Sequence, residues 1–473
     1  MAAPQDRVPH GRIRRTMPLA GFTARAAGGA MVAALREKTG DTGARARFHE
    51  RTAERYAQLF GHSKGVLMKA AQQLAMLDTG SIGSGDFSPY QQALARLQAD
   101  APPMHPELAQ QIVHADLGRP VDVVFTEFSD EPLAAASIGQ VHRAVLPDGR
   151  QVAVKIQYPG VAEAIRDDLA NTELLVAFFQ FAASTVGTAL QPDLLATTRE
   201  FSARILEEVD YRHEAANITA FSDLYRGHPF IRVPEVIAEA SGDRVLTMTY
   251  LDGMDWIQAQ QADQELRNTW AEVIHRFVLG SIQHANMFHA DPHPGNYRFG
   301  LDGSVGFVDF GCVTVLSERR RHRFIELMRA AIDGRKHDLR RLMVETGYFP
   351  SESTLTADEA YQVIAELAYE WIAPQPVTYT HDTMRRAIHA MLDIRSPDHP
   401  VRRMSLPDDF VFLPRANLMM NPILANLGAT IYARSIMDDQ DGIAEPITAL
   451  GKQHIAWVRQ RGLPYGLQSH DHP

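Results

Sequence analysis

At 473 residues with 45% hydrophobic side chains, the chain has apolar material for a packed core and length for two or three domains or one large two-lobed unit. A formal net charge of −10 and a pI near 6.1 exclude a broadly basic surface, so no nucleic-acid partner is expected. The single cysteine, Cys312, excludes an intramolecular disulfide; it reads as a small buried residue, and the fold does not depend on an oxidising compartment.

The chain opens with Arg7, Arg12, Arg14, Arg15 and Arg25, a basic start of partial transit-peptide character, against which stand Asp6 and the scarcity of serine. No cleavable signal peptide is read. Phe48 to Phe60 and Gly65 to Leu77 carry apolar side chains at spacings of three and four, which predicts helices. Ala101-Pro102-Pro103-Met104-His105-Pro106 then marks a linker or bend. Residues 1–118 are read as an N-terminal helical extension.

From Val121 the character changes. Val121 to Phe128 is β-branched and aromatic and predicts a strand, and Val141 to Leu146 runs through Pro147-Asp148-Gly149 into Gln151 to Gln157 as a hairpin. Alternation puts Val152 and Val154 on one face and Ala153 and Lys155 on the other, so Lys155 need not face solvent. Leu174 to Gln191 lacks charge over nearly the length of a membrane span. Gln180, Ser184 and Gly187 interrupt it, and it is read as a helix packed on the surrounding domain. A strand from Arg244 to Tyr250 ends at Leu251-Asp252-Gly253, a hinge. Residues 119–250 are thus an N-lobe with inserted helices.

Trp270, Val273, Ile274, Phe277, Val278 and Ile282 recur with the period of a helix buried on one face, and Glu318 to Ile332 repeats the pattern with Arg319-Arg320-Arg321 as a solvated start. These lie in a C-lobe core, 251–345. A C-terminal helical extension, 346–473, follows, with helices around Ala357 to Ile372, Thr383 to Leu392 and Leu418 to Arg434.

The most informative feature is His289-Ala290-Asp291-Pro292-His293-Pro294-Gly295-Asn296, followed after a strand-like Val305-Gly306-Phe307-Val308 by Asp309-Phe310-Gly311. In a kinase-like catalytic loop the first Asp handles the acceptor proton, the Asn five residues on holds one Mg2+, and the Asp of Asp-Phe-Gly holds the metal bridging the phosphates. Asp291, Asn296 and Asp309 fit those roles. The bland alternative is turn punctuation by Pro and Gly. His289 and His293 would share a helix face as metal ligands only if Pro292 and Pro294 allowed a helix; both are read as bracing the loop, and no zinc is assigned.

Lys155 sits where a third-strand lysine meets the α- and β-phosphates, and such a lysine needs a carboxylate, for which Glu214 is the candidate. Ala134, Ala135, Ala136, Ser137, Ile138 and Gly139 occupy the place of a glycine-rich phosphate cover. Three alanines restrict the backbone there and predict a different nucleotide geometry. Met248 and Tyr250, ending the strand before the hinge, are assigned to the same nucleotide pocket.

These residues resemble the UbiB/AarF atypical kinase-like family, the ADCK group. The resemblance is carried by Ala134 to His142, Val152 to Gln157 with Pro159-Gly160, Glu208-Val209-Asp210-Tyr211 with Glu214-Ala215, His289 to Asn296, and Asp309-Phe310-Gly311. It implies an α+β, two-lobed protein-kinase-like fold with N- and C-terminal helical extensions, binding of ATP or ADP with Mg2+, and a role tied to isoprenoid quinones or membrane lipids. It further implies that Lys69-Ala70-Ala71-Gln72, with Ala71 in place of a glycine, is a regulatory element, so Lys69 and Gln72 are assigned to it, with Glu208 and Asp210 meeting it near the metal.

No proline lies between Gly311 and Pro350, so the Ala-Pro-Glu element of a peptide-phosphorylating kinase is missing. The reading is an atypical kinase or ATPase, cytoplasmic with peripheral membrane contact, whose ligands are a nucleotide and a lipid or quinone precursor; the oligomeric state is left open. Two alternatives stand beside it: a small-molecule phosphotransferase of the aminoglycoside or choline kinase type, and a non-catalytic, nucleotide-responsive lipid-binding module.

Overall fold

The computed structural model describes residues 36, 47–48, 51–52, 103–136, 138–169, 202, 205–349, 353–383, 385–386, 403–404 and 412–466. Lys69, Gln72, Ser137, the uncharged run from Leu174 to Gln191, the expected helix from Gly65 to Leu77, and most of Phe48 to Phe60 and Thr383 to Leu392 lie outside the described residues.

In chain order the elements are α1 (Pro106–Leu117), α2 (Val121–Val124), β1 (Glu127–Phe128), β2 (Ala134–Ala136), β3 (Gly139–Val145), β4 (Gln151–Gln157), α3 (Val161–Leu169), α4 (Tyr211–Leu224), β5 (Ile231–Arg232), β6 (Val245–Thr249), α5 (Trp256–Gln260), α6 (Gln264–Ala285), β7 (Met287–His289), β8 (Tyr297–Phe299), β9 (Val305–Phe307) and β10 (Val313–Val315). Then come α7 (Glu318–Ile332), α8 (Lys336–Glu345), α9 (Ala357–Leu367), α10 (Tyr369–Ile372), β11 (Val377–Thr378), α11 (Phe412–Leu427), β12 (Thr430–Ile431), α12 (Ala433–Gln440) and α13 (Ala449–Arg461). The chain divides into two compact units, Met1–His213 with Val236–Tyr250, and Glu214–Glu235 with Leu251–Pro473.

The first unit is built on an antiparallel sheet of order β1-β3-β4-β6, with β2 also paired to β3. The expected hairpin forms: Val145 pairs with Gln151, and Gly149 takes the left-handed φ of +86° that closes the turn. Val152 and Val154 are fully buried and Lys155 is only 7% exposed, as the alternation requires. Helix α1 starts on Pro106 and ends on Gly118 at φ +66°. Near its end Asp116 Oδ2 accepts the main-chain N–H groups of Arg244 (2.9 Å) and Val245 (3.0 Å), fastening the helix to β6.

Two readings are corrected here. Val121 to Phe128 is not one strand: Val123 and Val124 donate to the Pro120 carbonyl and Phe125 to that of Val121, giving a helical turn before β1. Proline at the entry, with φ −59°, outweighs the β-branched preference. The three alanines, read as a loop, form strand β2, with Ala134 opposite Val141 and Ala136 opposite Gly139.

The second unit is organised around α6, capped at its end by Asn286 in the left-handed conformation (φ 55°). Trp270 through His284 are buried without interruption, so the expected one-faced helix is covered all round. Buried charge on it is paired within the unit. Arg276 donates to both oxygens of Asp439 (2.9 and 2.8 Å) and to Glu272 (2.8 Å), which ties α12 to α6. A histidine chain fixes α13 as well. Pro464 O can only accept, so His284 Nδ1 donates to it (2.7 Å); Ile231 N donates to His228 Nδ1 (3.0 Å). From there the chain runs from His228 Nε2 to His454 Nδ1 (3.0 Å) and from His454 Nε2 to His284 Nε2 (3.2 Å). Burial holds the His228 and His454 rings neutral, pushing His228 down to about 2 and His454 well below its usual value.

Helix α7 begins where expected, with the Ser317 hydroxyl accepting the Arg320 N–H. Arg321, however, is wholly buried and is no part of a solvated face. Its guanidinium donates to Gln283 Oε1 (3.1 Å), Gly466 O (3.0 Å) and Glu318 Oε1 (2.6 Å), and these long-range acceptors decide its position. The helix expected from Leu418 to Arg434 stops at Leu427. Gly428 takes φ +57°, and the chain turns into β12, which pairs with β11. Cys312 is buried, as expected.

Candidate active site

The second unit brings Asp291, Asn296 and Asp309 together through main-chain anchors. Strand β7 pairs with β10, placing His289 opposite Val313, and Ala290 N donates to Cys312 O (2.9 Å). The segments leading into Asp291 and out of Asp309-Phe310-Gly311 are therefore hydrogen-bonded side by side. His289 is 2% exposed and sends Nε2 to Asp309 O at 2.6 Å; a carbonyl only accepts, so this nitrogen carries the proton. Asn217, on α4, donates to Phe310 O (2.9 Å), a support that sequence reading missed because it comes from ninety-odd residues upstream.

The loop between Asp291 and Asn296 is braced from within. His293 Nδ1 accepts Gly295 N (3.0 Å), and Asn296 N donates to His293 O (2.9 Å), so both histidines serve the loop as expected. Asn296 Nδ2 donates to Asp291 O (3.3 Å) and its main-chain oxygen accepts Val308 N (3.0 Å), which joins the loop to the strand presenting Asp309. Asp309 Oδ1 accepts Gly311 N (3.0 Å) in a tight turn of the Asx type. Asp291, Asn296 and Asp309 are all part-exposed, whereas Phe310 is fully buried against Phe221 (4.9 Å between rings) and His289 (5.3 Å, edge-on). Burial pushes the Tyr297 phenol up, with a smaller push from the negative Asp291.

The first unit collects the residues assigned to the nucleotide. Ala134 and Ala135 are exposed at the β2 edge, Ala136 is half-buried, and Ile138 and Gly139 are buried. A Cβ on Gly139 would lie 2.2 Å from Ile156 O, so glycine is required for β3 to approach β4. Lys155 Nζ stands 5.4 Å from the centre of the Tyr211 ring, a cation–π distance. Met248, 4% exposed, pairs with Ala153. Tyr250 lies at the other end of these strands, its N–H on Gln151 O and its ring under the Arg143 guanidinium (4.7 Å). Glu208 is buried, while Asp210 is exposed and its Oδ1 accepts His213 N (3.0 Å), an N-cap for α4. Glu214, in the first turn of α4, is fully buried and belongs to the second unit.

Two motif residues noticed only as part of a pattern prove to be buried fastenings. Gln140 Oε1 accepts Met104 N (2.8 Å), Gln140 Nε2 donates to His142 Nε2 (2.7 Å), and His142 Nδ1 donates to Ser129 O (2.7 Å). The His142 ring stacks on Phe128 (4.9 Å, 21°), and burial lowers its pKa against weaker pulls from the Ser129 carbonyl and Asp130.

Among the described residues no group of three or more His, Cys, Asp or Glu is arranged to hold a metal ion. The Asp309 carboxylate and the Asn296 carboxamide oxygen, whose Nδ2 is committed to Asp291 O, are hard oxygen donors. Such a pair suits Mg2+, which takes its remaining oxygens from phosphate and water, and does not suit zinc.

An antiparallel sheet in one unit and a largely helical second unit carrying the His289–Asn296 and Asp-Phe-Gly segments make up a protein-kinase-like fold. The chain belongs to the ABC1 atypical kinase-like family, whose domain matches residues 96–343. It is similar to the chloroplastic protein Activity of bc1 complex kinase 7 of Arabidopsis thaliana, 36% identical over 236 residues, which cover 50% of this chain and 33% of that protein. It is also similar to the mitochondrial atypical kinase COQ8 of Saccharomyces cerevisiae, 28% identical over 397 residues, which cover 81% and 76%. The match spans about a third of the length of the chloroplastic relatives. Among solved structures, a Mycobacterium tuberculosis protein, Rv3197 in complex with erythromycin, is 26% identical with a TM-score of 0.59, over 86% of this chain and 98% of that one. Among the described residues no helix is long and apolar enough to cross a membrane.

Proposed function

We propose that the protein is an atypical kinase or ATPase that binds Mg-ATP or Mg-ADP and supports isoprenoid quinone or membrane-lipid metabolism. The observation that carries the reading is the set of hydrogen bonds that joins the segments carrying Asp291, Asn296 and Asp309. Bound Mg2+, held by Asn296 and Asp309, would neutralise charge on the phosphates. Asp291 orients the acceptor hydroxyl or water and takes its proton as the acceptor oxygen bonds to the terminal phosphorus and the bond to the nucleoside diphosphate breaks. The β2–β3 hairpin covers the phosphates, Lys155 meets them with Glu214 as its carboxylate, and Met248 and Tyr250 belong to the same pocket. Lys69, Gln72, Glu208 and Asp210 regulate it. The quinone or lipid assignment rests on the family resemblance and is supported by relatives named atypical kinase COQ8; peripheral membrane contact belongs to the same proposal.

The erythromycin in the mycobacterial complex favours a second reading, a phosphotransferase or binding module for a soluble small molecule. A melt series with ATP, ADP and Mg2+ tests the site first: ligand at about a hundred times its dissociation constant adds roughly 2.7 kcal/mol. Asp309→Asn should abolish the Mg2+-dependent part, and an unchanged response would refute the assignment. Labelled ATP then separates the readings: label on a lipid-soluble acceptor or release of ADP alone supports the first, and label on a soluble alcohol the second.

A further inference from the structure

The hairpin proposed to cover the phosphates is not held by its own strand pairing alone. Gln140 lies on β3 opposite Ala135, wholly buried, in a stretch where exposed Ala134 and Ala135 contribute almost no packing of their own. A buried carboxamide must satisfy both its ends, and here each end leads to a different part of the unit. Its oxygen accepts the N–H of Met104, in the linker just before α1. Its nitrogen reaches the Met104 carbonyl at 3.5 Å and His142 Nε2 at 2.7 Å. His142 in turn holds Ser129 O, at the end of β1. A single chain of hydrogen bonds thus runs from Met104 through Gln140 and His142 to Ser129, crossing the base of the β2–β3 hairpin.

The direction of every bond is determined. Ser129 O and Met104 O only accept and Met104 N only donates, so His142 carries its proton on Nδ1 and presents a bare Nε2 to the carboxamide. Rotating the Gln140 amide by half a turn would set its oxygen against two acceptors, Met104 O and His142 Nε2, and its nitrogen against one donor, Met104 N. Leu133 N donates to Val141 O at the open end of the hairpin and Tyr158 N to Ile138 O at its turn, and Gln140 ties its middle to the linker before α1. Met104, whose main-chain N–H and carbonyl Gln140 holds, lies two residues before the start of α1.

We infer that Gln140 is a positioning residue: through the Met104 main chain it sets the Ala134–Gly139 hairpin relative to the segment arriving from the N-terminal extension, and so sets nucleotide affinity without touching the nucleotide. The inference rests on the proposed nucleotide site. Displacement of the linker at Met104 is passed to the hairpin by two hydrogen bonds and needs no contact with the phosphates. His142 is the second member of the device, because it supplies the acceptor that fixes the carboxamide's orientation.

The test uses the full-length protein, a fluorescent ADP analogue with Mg2+, and amide hydrogen exchange. Gln140→Leu, similar in volume but unable to hydrogen-bond, should weaken nucleotide binding about tenfold and speed exchange at residues 132–141 and at Met104, leaving β4 and β6 protected. His142→Phe, which keeps the stack on Phe128, should give a smaller change in the same two places. Gln140→Glu, which can still accept Met104 N and pair with a protonated His142, should restore most of the affinity. Unchanged affinity and hairpin exchange in both Gln140→Leu and His142→Phe would overturn the inference, as would exchange rising evenly across β3, β4 and β6, the mark of a purely structural role. If wild-type protein binds no nucleotide, the functional reading fails and this inference with it; if wild type binds and the variants match it, only this inference fails.

Discussion

His289 Nε2 lies 2.6 Å from the main-chain oxygen of Asp309, so the first residue of one motif physically holds the first residue of the other. The bond lies just beyond the end of the β7–β10 ladder and fixes the peptide that carries the Asp309 carboxylate. It also explains a histidine inside a motif otherwise made of loop formers.

His289→Ala should therefore be costly in two separable ways. An unpaired carbonyl in a buried place costs about 1–3 kcal/mol, and the vacated ring volume beside Phe221, Phe277 and Phe310 adds a cavity term. Urea unfolding should show the combined loss. Mg2+-dependent nucleotide stabilisation should fall beyond what that loss explains, and it should fall also in His289→Phe, which fills the space but offers no N–H.

Gly139→Ala is expected to destabilise the first unit by about 1–3 kcal/mol, because its methyl would meet the Ile156 carbonyl at 2.2 Å and main chain has little room to yield. Circular dichroism melts give the number. A melt equal to wild type would mean that β3 and β4 can separate at this point, against the close approach described above.

Arg276→Met should lose about 3–5 kcal/mol, since it leaves the buried carboxylates of Asp439 and Glu272 without their cation. The paired variant Arg276→Met with Asp439→Leu should recover part of that loss, although each change alone is harmful. Denaturant titration of the two single variants and the double completes the cycle.

Acid stability follows from the buried imidazoles. Burial pushes His228 down to about 2 and His275 to about 3, and holds His454 well below its usual value. From the unfolded-state value near 6.5 down to these folded values the unfolded chain binds more protons, so stability is complete above pH 6.5 and falls with acid, at up to about 1.4 kcal/mol per pH unit for each ring. Asp441, pushed up to about 6 by burial, works oppositely: below pH 6 the folded state takes its proton first. The melting temperature should thus begin to drop near pH 6.5 and fall more steeply towards pH 5 as the three unfolded-state imidazoles charge, Asp441 offsetting only part of the loss below 6. His454→Gln should flatten the whole drop by one proton, and an unaltered profile would show that the ring is not held neutral.

What could be read in the sequence was what is decided locally. Pro147-Asp148-Gly149 specified a hairpin because glycine alone suits the turn, and Ser317 with the apolar period after it marked the start of α7. The spacing of Asp291, Asn296 and Asp309 pointed to a shared chemistry, and the ladder places their segments together. The misreadings involve partners far along the chain. Arg321 looked like a member of a solvated basic run until Gln283 and Gly466 claimed it. The histidines at 228, 284 and 454 carry no common motif, and only packing around α6 makes them a chain. Ala134 to Ala136 pattern as neither strand nor loop; β3 supplies the pairing that decides. In the opposite sense, one proline at 120 was enough to turn a strand-like run into a helical turn.

Six residues after Gly311 the chain is already capped into α7 at Ser317, having been zipped against β7 and clasped by the Leu316 N–H on Asn286 O. In enzymes where a long strap follows this aspartate, phosphate added to the strap can throw the catalytic aspartates in or out of line. Here that stretch is a spliced joint with no slack to throw, so a covalent mark laid on it would have nothing to swing.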